Sequence, residues 1–125
     1  MTAAPVFVFA LDGVEAFPSV DDAAASMEGI DVANGEYEAV FTLDGRPVTA
    51  TASKNDVVLT ITDRRDEADL DRRLRDWAPR IGLTSPPEDR RAVANELMRR
   101  DWELRWPKRP RWLARRLHGS EPPRV

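Results

Sequence analysis

Several residue types that carry chemistry are absent or scarce in this chain of 125 residues. It has no cysteine and a single histidine, His118. Without cysteine it forms no disulfide, has no thiolate nucleophile and offers no sulfur ligand to a metal. No apolar run approaches the length of about 20 residues that a membrane-spanning helix needs. Thiol chemistry, cysteine-ligated metal centres and membrane spanning are therefore excluded as functions of this sequence.

Motifs of nucleophilic catalysis and nucleotide binding are missing as well. The chain contains no GxSxG, GxxxxGK[ST] or GxGxxG segment. Adjacent carboxylates such as Asp21 and Asp22 do not face one another on a helix, because facing residues lie three or four positions apart. A lone histidine beside a helix end typically complements the helix dipole. We therefore expect a protein that is not an enzyme and that binds no metal and no cofactor.

Composition predicts one globular domain. Apolar residues make up 42% of the chain and charged residues 33%, which is typical of a folded domain. We expect a single domain over 1–119, a helical segment from about 85 and a flexible tail over 120–125. The first apolar run has no basic residue before it, unlike a signal peptide, so the expected location is cytoplasmic.

Charge is divided unequally between the two halves. Residues 1–63 carry a net charge of −9 and residues 64–125 a net charge of +6, although the whole chain carries only −3. Such a split is compatible with a polyanion-binding half. The simpler interpretation is that the halves pack together and neutralise each other.

The first third predicts a hairpin followed by a helix. The run PVFVFAL (5–11) suits an inner strand, and Asp12-Gly13 favours a two-residue type I′ turn into VEAF (14–17). Ser19 is placed to cap a helix over 20–30. Its apolar stripe is formed by Val20, Ala24, Met27 and Ile30.

Residues 36–62 predict three strands in an antiparallel meander, because apolar and polar residues alternate with period two. Two helices follow. The first places Leu70, Leu74 and Trp77 on one face, with Asp63 or Asp66 as its cap, and Pro79 disturbs its last turn. The second starts at Ser85-Pro86 and runs to about Arg105. The expected fold class is α+β: an antiparallel sheet of about five strands, in the order β-β-α-β-β-β-α, followed by C-terminal helices.

The helix at 70–81 should cover the predicted sheet. We expect Leu70, Leu74 and Trp77 to pack on one face of it. The strand residues expected on that face are Tyr37, Phe41, Val48, Leu59 and Ile61.

Residues 99–118 contain three tryptophans and eight basic residues. Arginine pairs with phosphate and tryptophan stacks on bases, but the whole chain is acidic, with a pI of about 5.2, unlike a typical nucleic-acid-binding domain. A membrane-surface helix would need a longer apolar face. The favoured interpretation is packing against the chain's own core, with at least two of Trp102, Trp106 and Trp112 buried.

The first half resembles a family of small uncharacterised actinobacterial α+β proteins. The shared pattern consists of a DG hairpin, an acidic alanine-rich helix and IDVxxGEYxAxF, followed by DGR. The matching positions here are Glu28, Ile30, Asp31, Val32, Gly35, Glu36, Tyr37, Ala39, Phe41, Asp44, Gly45 and Arg46. The resemblance implies a bacterial, partner-binding module, by analogy with immunity proteins, and assigns no catalytic residue.

The sequence therefore predicts a non-catalytic protein-binding module, such as an immunity-type protein that neutralises a partner toxin. A protein partner ranks above nucleic acid, and no membrane is expected. The alternative is a nucleic-acid-binding regulator that uses residues 99–118. The candidate partner-binding residues are Glu36, Tyr37, Glu38, Trp106, Arg109, Arg111, Trp112 and Arg115.

Overall fold

The computed structural model describes residues 4–27, 29–53, 56–105 and 124–125. The fold is α+β with five strands, as predicted, and the predicted order is confirmed except that two helices stand between β2 and β3 where one was expected. The elements are β1 (Val6–Ala10), β2 (Val14–Phe17), α1 (Val20–Ser26), α2 (Gly29–Ala33), β3 (Tyr37–Thr42), β4 (Val48–Ser53), β5 (Asp56–Ile61), α3 (Glu67–Ile81) and α4 (Arg90–Arg105).

The strands form two small antiparallel sheets, so the prediction of one five-stranded sheet is wrong. The first sheet has the order β2-β1-β3, and the second is the hairpin β4-β5. Only an isolated bridge between Phe41 and Pro47 joins β3 to the start of β4. Proline has no amide hydrogen to donate to a ladder, and the Pro47 carbonyl instead accepts from the Thr62 amide at 3.0 Å. The chain therefore leaves the first sheet at this point.

One face of the first sheet is covered by α3 and α4. Leu70 and Leu74 are fully buried there and Trp77 is 7% exposed, which confirms the helical face predicted for α3. The buried residues of this first core cluster are Phe7, Phe9, Val14, Ala16, Phe41, Leu70, Leu74, Trp77, Val93, Ala94, Leu97 and Met98.

The opposite face of the first sheet is covered by α1 and by the hairpin β4-β5. The buried residues of this second core cluster are Val6, Val8, Phe17, Ala23, Met27, Val40 and Val48. Tyr37, Leu59 and Ile61 are partly buried against them. Of the five strand residues expected beneath α3, only Phe41 lies in the first cluster, so that part of the packing prediction is wrong.

A β-bulge explains why Tyr37 and Phe41 face opposite sides. Phe9 pairs with Ala39, but Ala10 pairs with Tyr37, which leaves Glu38 as an extra residue in β3. Since side chains alternate with period two, one extra residue moves everything before it to the other face. Because apolar residues recur with period two along β3 without interruption, the sequence alone does not reveal this shift.

The predicted helix over 20–30 is two short helices. Ser19 caps α1 as expected, accepting from the Asp22 amide at 3.1 Å. Met27 then adopts an extended conformation with ψ of 144°, so the helix ends there and α2 begins at Gly29. The break lets Met27 enter the second core cluster.

The ends of the later helices differ partly from the predictions. Asp66 caps α3, and α3 continues through Pro79 to Ile81, where Gly82 ends it with φ of 63°. Helix α4 is capped by Asp89, whose carboxylate accepts from the Ala92 amide at 3.1 Å. Ser85 is therefore not its cap, because Pro87 disfavours helical backbone at the residue before it.

The first hairpin also turns differently from the prediction. Phe9 pairs with Val14, and the Ala10 amide donates to the Gly13 carbonyl at 2.8 Å. Gly13 has no positive φ, whereas a type I′ turn requires one. The connection is a four-residue turn, and this wider turn carries Asp12 out beside β3.

Candidate functional site

Three chain segments meet at one end of the first sheet: the β1-β2 turn, the end of α2 and the start of β3. The Leu11 amide donates to the Glu36 carbonyl at 3.0 Å, and the Glu36 amide donates to the Asp31 carbonyl at 3.0 Å. These backbone bonds place acidic residues from three separate segments beside one another. The bulge described above brings Tyr37 into the same corner.

Two adjoining cavities of about 400 and 170 Å³ occupy this corner. Both are lined by Ala10, Asp12, Glu15 and Tyr37, so we treat them as one surface, the acidic cleft. The larger cavity is also lined by Leu11, Asp31 and Glu36. The smaller one is also lined by Val8, Gly13, Phe17, Ser26, Met27 and Asp101.

The described lining of the acidic cleft is electrostatically one-sided. It contains five carboxylates and the Tyr37 hydroxyl, and no lysine, arginine or histidine among the residues that the structure describes. Asp12 and Asp31 make no ion pair with any described residue. Glu15, Glu36 and Tyr37 each have an interaction partner in the protein. A concave surface lined by one sign of charge concentrates its field and favours ligands of the opposite sign.

Most described arginines pair within their own half of the chain. Arg90 contacts Asp71 at 2.9 Å and Glu67 at 3.0 Å. Among the described residues, ion pairs between the acidic and basic halves are limited to Arg73 with Glu38 and Arg65 with Asp44. Neutralisation of the acidic half by the basic half, which the sequence favoured, stays a prediction, because Glu15 and Glu36 also have interaction partners in the protein and much of the basic half lies outside the described residues.

Three candidate residues lie on β3 or directly before it, and not all of them line the acidic cleft. Glu36 and Tyr37 line it. Glu38 lies at the bulge, is exposed, and pairs with Arg73 at 3.5 Å. The structure therefore brings two of the three together and places Glu38 over α3 instead.

The remaining candidates, Trp106, Arg109, Arg111, Trp112 and Arg115, lie outside the described residues. The expected burial of at least two of the three tryptophans therefore stays a prediction, since Trp102 alone is described and is half-buried. Nucleic-acid binding by 99–118 stays a prediction for the same reason.

Glu96 is a buried charge that sequence patterning did not single out. It is 5% exposed and accepts from the Thr84 and Ser85 amides at 3.0 and 2.8 Å. Arg100 donates to it at 2.7 Å and also to the Ile81 carbonyl at 2.7 Å. Burial opposes the charged form, but these backbone and side-chain bonds from Thr84 and Ser85 outweigh it and lower the pKa of Glu96 to about 2. These bonds join Glu96 on α4 to the residues that follow α3. Glu96 therefore stabilises the packing of α4 against the end of α3.

No group of three or more histidine, aspartate or glutamate side chains in the described part of the chain is arranged to hold a metal ion. No helix in the described ranges is long and apolar enough to cross a bilayer.

Comparison of the chain with protein-family models, curated proteins and solved structures gives no match. The resemblance to small actinobacterial proteins therefore stays a prediction.

Proposed function

We propose that this protein is a non-catalytic binding module whose acidic cleft receives basic side chains of a protein partner, as an immunity-type protein does when it masks a basic toxin surface. The observation that carries the proposal is the one-sided charge of the described lining of the cleft, to which the β1-β2 hairpin, α2, the residue before β3 and α4 all contribute carboxylates.

Size and shape also favour a side chain over a whole folded ligand. A cleft of about 400 Å³ accommodates one or two arginine or lysine side chains of a partner. Leu11 is 60% exposed at its rim and offers apolar contact beside the carboxylates. Such charge complementarity raises association rates and selects against acidic partners.

Neutralising the cleft tests the proposal. The purified chain is immobilised and exposed at low salt to lysate of its native host, and retained proteins are identified by mass spectrometry. The variant D12N/D31N removes two charges that have no described ion pair. The matched control D56N/D63N removes two exposed charges outside the cleft.

We expect the wild-type chain and D56N/D63N to retain the same basic protein and D12N/D31N to lose it. Each solvated charge contributes about 1 kcal/mol, which is about fivefold in Kd. Retention of no protein by the wild type, or equal retention by D12N/D31N, would contradict the proposal. Retention of nucleic acid in place of protein would favour the alternative function.

A further inference from the structure

A second cleft lies between α4 and the residues that follow α3. Its volume is about 470 Å³, and its described lining residues are Thr84, Ser85, Ala92, Asn95, Glu96, Arg99 and Arg124. None of these residues lines the acidic cleft, so the two surfaces are distinct.

Part of the chain itself is seated at this second cleft. The Val125 amide donates to Asn95 Oδ1 at 2.6 Å, and Asn95 Nδ2 donates to the main-chain oxygen of Val125 at 3.3 Å. One side-chain amide thus satisfies both backbone groups of one residue, as a neighbouring strand does in a sheet. Paired bonds of this kind recognise extended backbone whatever its side chains.

The first core cluster determines which side chain the second cleft favours at the position of Val125. Val125 is partly buried against the first core cluster, which is apolar throughout. A branched apolar side chain fits this wall, whereas a charged one would lose its hydration without a partner.

We propose that the second cleft is a docking site for an extended peptide with a branched apolar residue, and that Arg124–Val125 occupy it in cis. The two hydrogen bonds and the half-buried Val125 side chain are contacts that an equivalent segment supplied in trans also makes. Ala92 and Arg99 also line the cavity, so a peptide longer than two residues has further described side chains to contact.

Peptide binding to the 125-residue chain tests this. The probe is a fluorescently labelled peptide of sequence SEPPRV, residues 120–125, amidated so that no terminal charge contributes. Val125→Gly in the protein weakens the resident contact and keeps the chain whole. Fluorescence anisotropy should show about fivefold tighter binding to this variant than to the wild type, since a half-buried valine contributes about that factor.

Two controls locate the site. Asn95→Ala in the Val125→Gly background should abolish binding, whereas Arg91→Ala, an exposed change on the same helix, should preserve it. A second peptide with glycine in place of its valine should bind about fivefold more weakly, and this control requires no change in the protein. Equal or absent binding to the wild type and Val125→Gly, or binding that survives Asn95→Ala, would overturn the proposal.

Discussion

Replacing Glu96 with glutamine should remove one large contribution to the stability of the protein at neutral pH, a contribution that is lost in acid. The Glu96 side chain is 4% exposed, and its pKa falls from an ordinary 4.5 to about 2 in the folded chain. A group whose pKa is depressed on folding stabilises the protein above its unfolded pKa and ceases to do so as the pH falls through its folded pKa. A fall of this size corresponds to about 3 kcal/mol.

Urea unfolding of the wild type and Glu96→Gln at pH 7, 5, 3.5 and 2.5 measures this contribution. We expect the variant to be about 3 kcal/mol less stable at pH 7, with the difference shrinking between about pH 4.5 and pH 2. Glu103→Gln is the matched control, because Glu103 lies on the same helix and its side chain is 57% exposed. A difference below about 1 kcal/mol at pH 7, or one that is constant down to pH 2.5, would refute the role of Glu96.

Two further substitutions test the core and the turn between β3 and β4. Trp77→Ala should destabilise the protein by about 3–5 kcal/mol, because it empties a buried site in the first core cluster. Thermal or urea unfolding would measure the loss. The control Leu104→Ala, at a side chain 78% exposed, should change the free energy of unfolding little. Gly45→Ala should cost roughly 1–3 kcal/mol, because Gly45 has φ of +88° and an added Cβ would lie 3.0 Å from the Glu67 Cα; a Tm equal to that of the wild type would contradict this.

Local sequence patterns predicted the elements that depend on neighbouring residues. The spacing of Leu70, Leu74 and Trp77 identified the buried face of α3, and Ser19 identified the start of α1. The bulge at Glu38 and the departure of β4 at Pro47 were missed. Both depend on pairing between distant segments, which alternation along one strand does not encode.

The candidate site was predictable only in part for the same reason. Glu36 and Tyr37 were chosen because they stand together in the sequence. Asp12 and Asp31 join them through the Leu11 and Glu36 backbone hydrogen bonds, which link the β1-β2 turn and α2 to the residue before β3. The bonds between Asn95 and Val125 connect positions 30 residues apart, and no motif marks such a contact.

Site-specific photo-crosslinking tests the binding role of the acidic cleft most directly. A benzophenone amino acid replaces Leu11, which is exposed on the rim of the cleft, or Val58, which is 55% exposed on the hairpin β4-β5. Irradiation in the native host should join a basic protein to the chain labelled at position 11 and not to the chain labelled at position 58. No adduct at position 11, or the same adduct at both positions, would contradict the assignment of this cleft as the partner-binding surface.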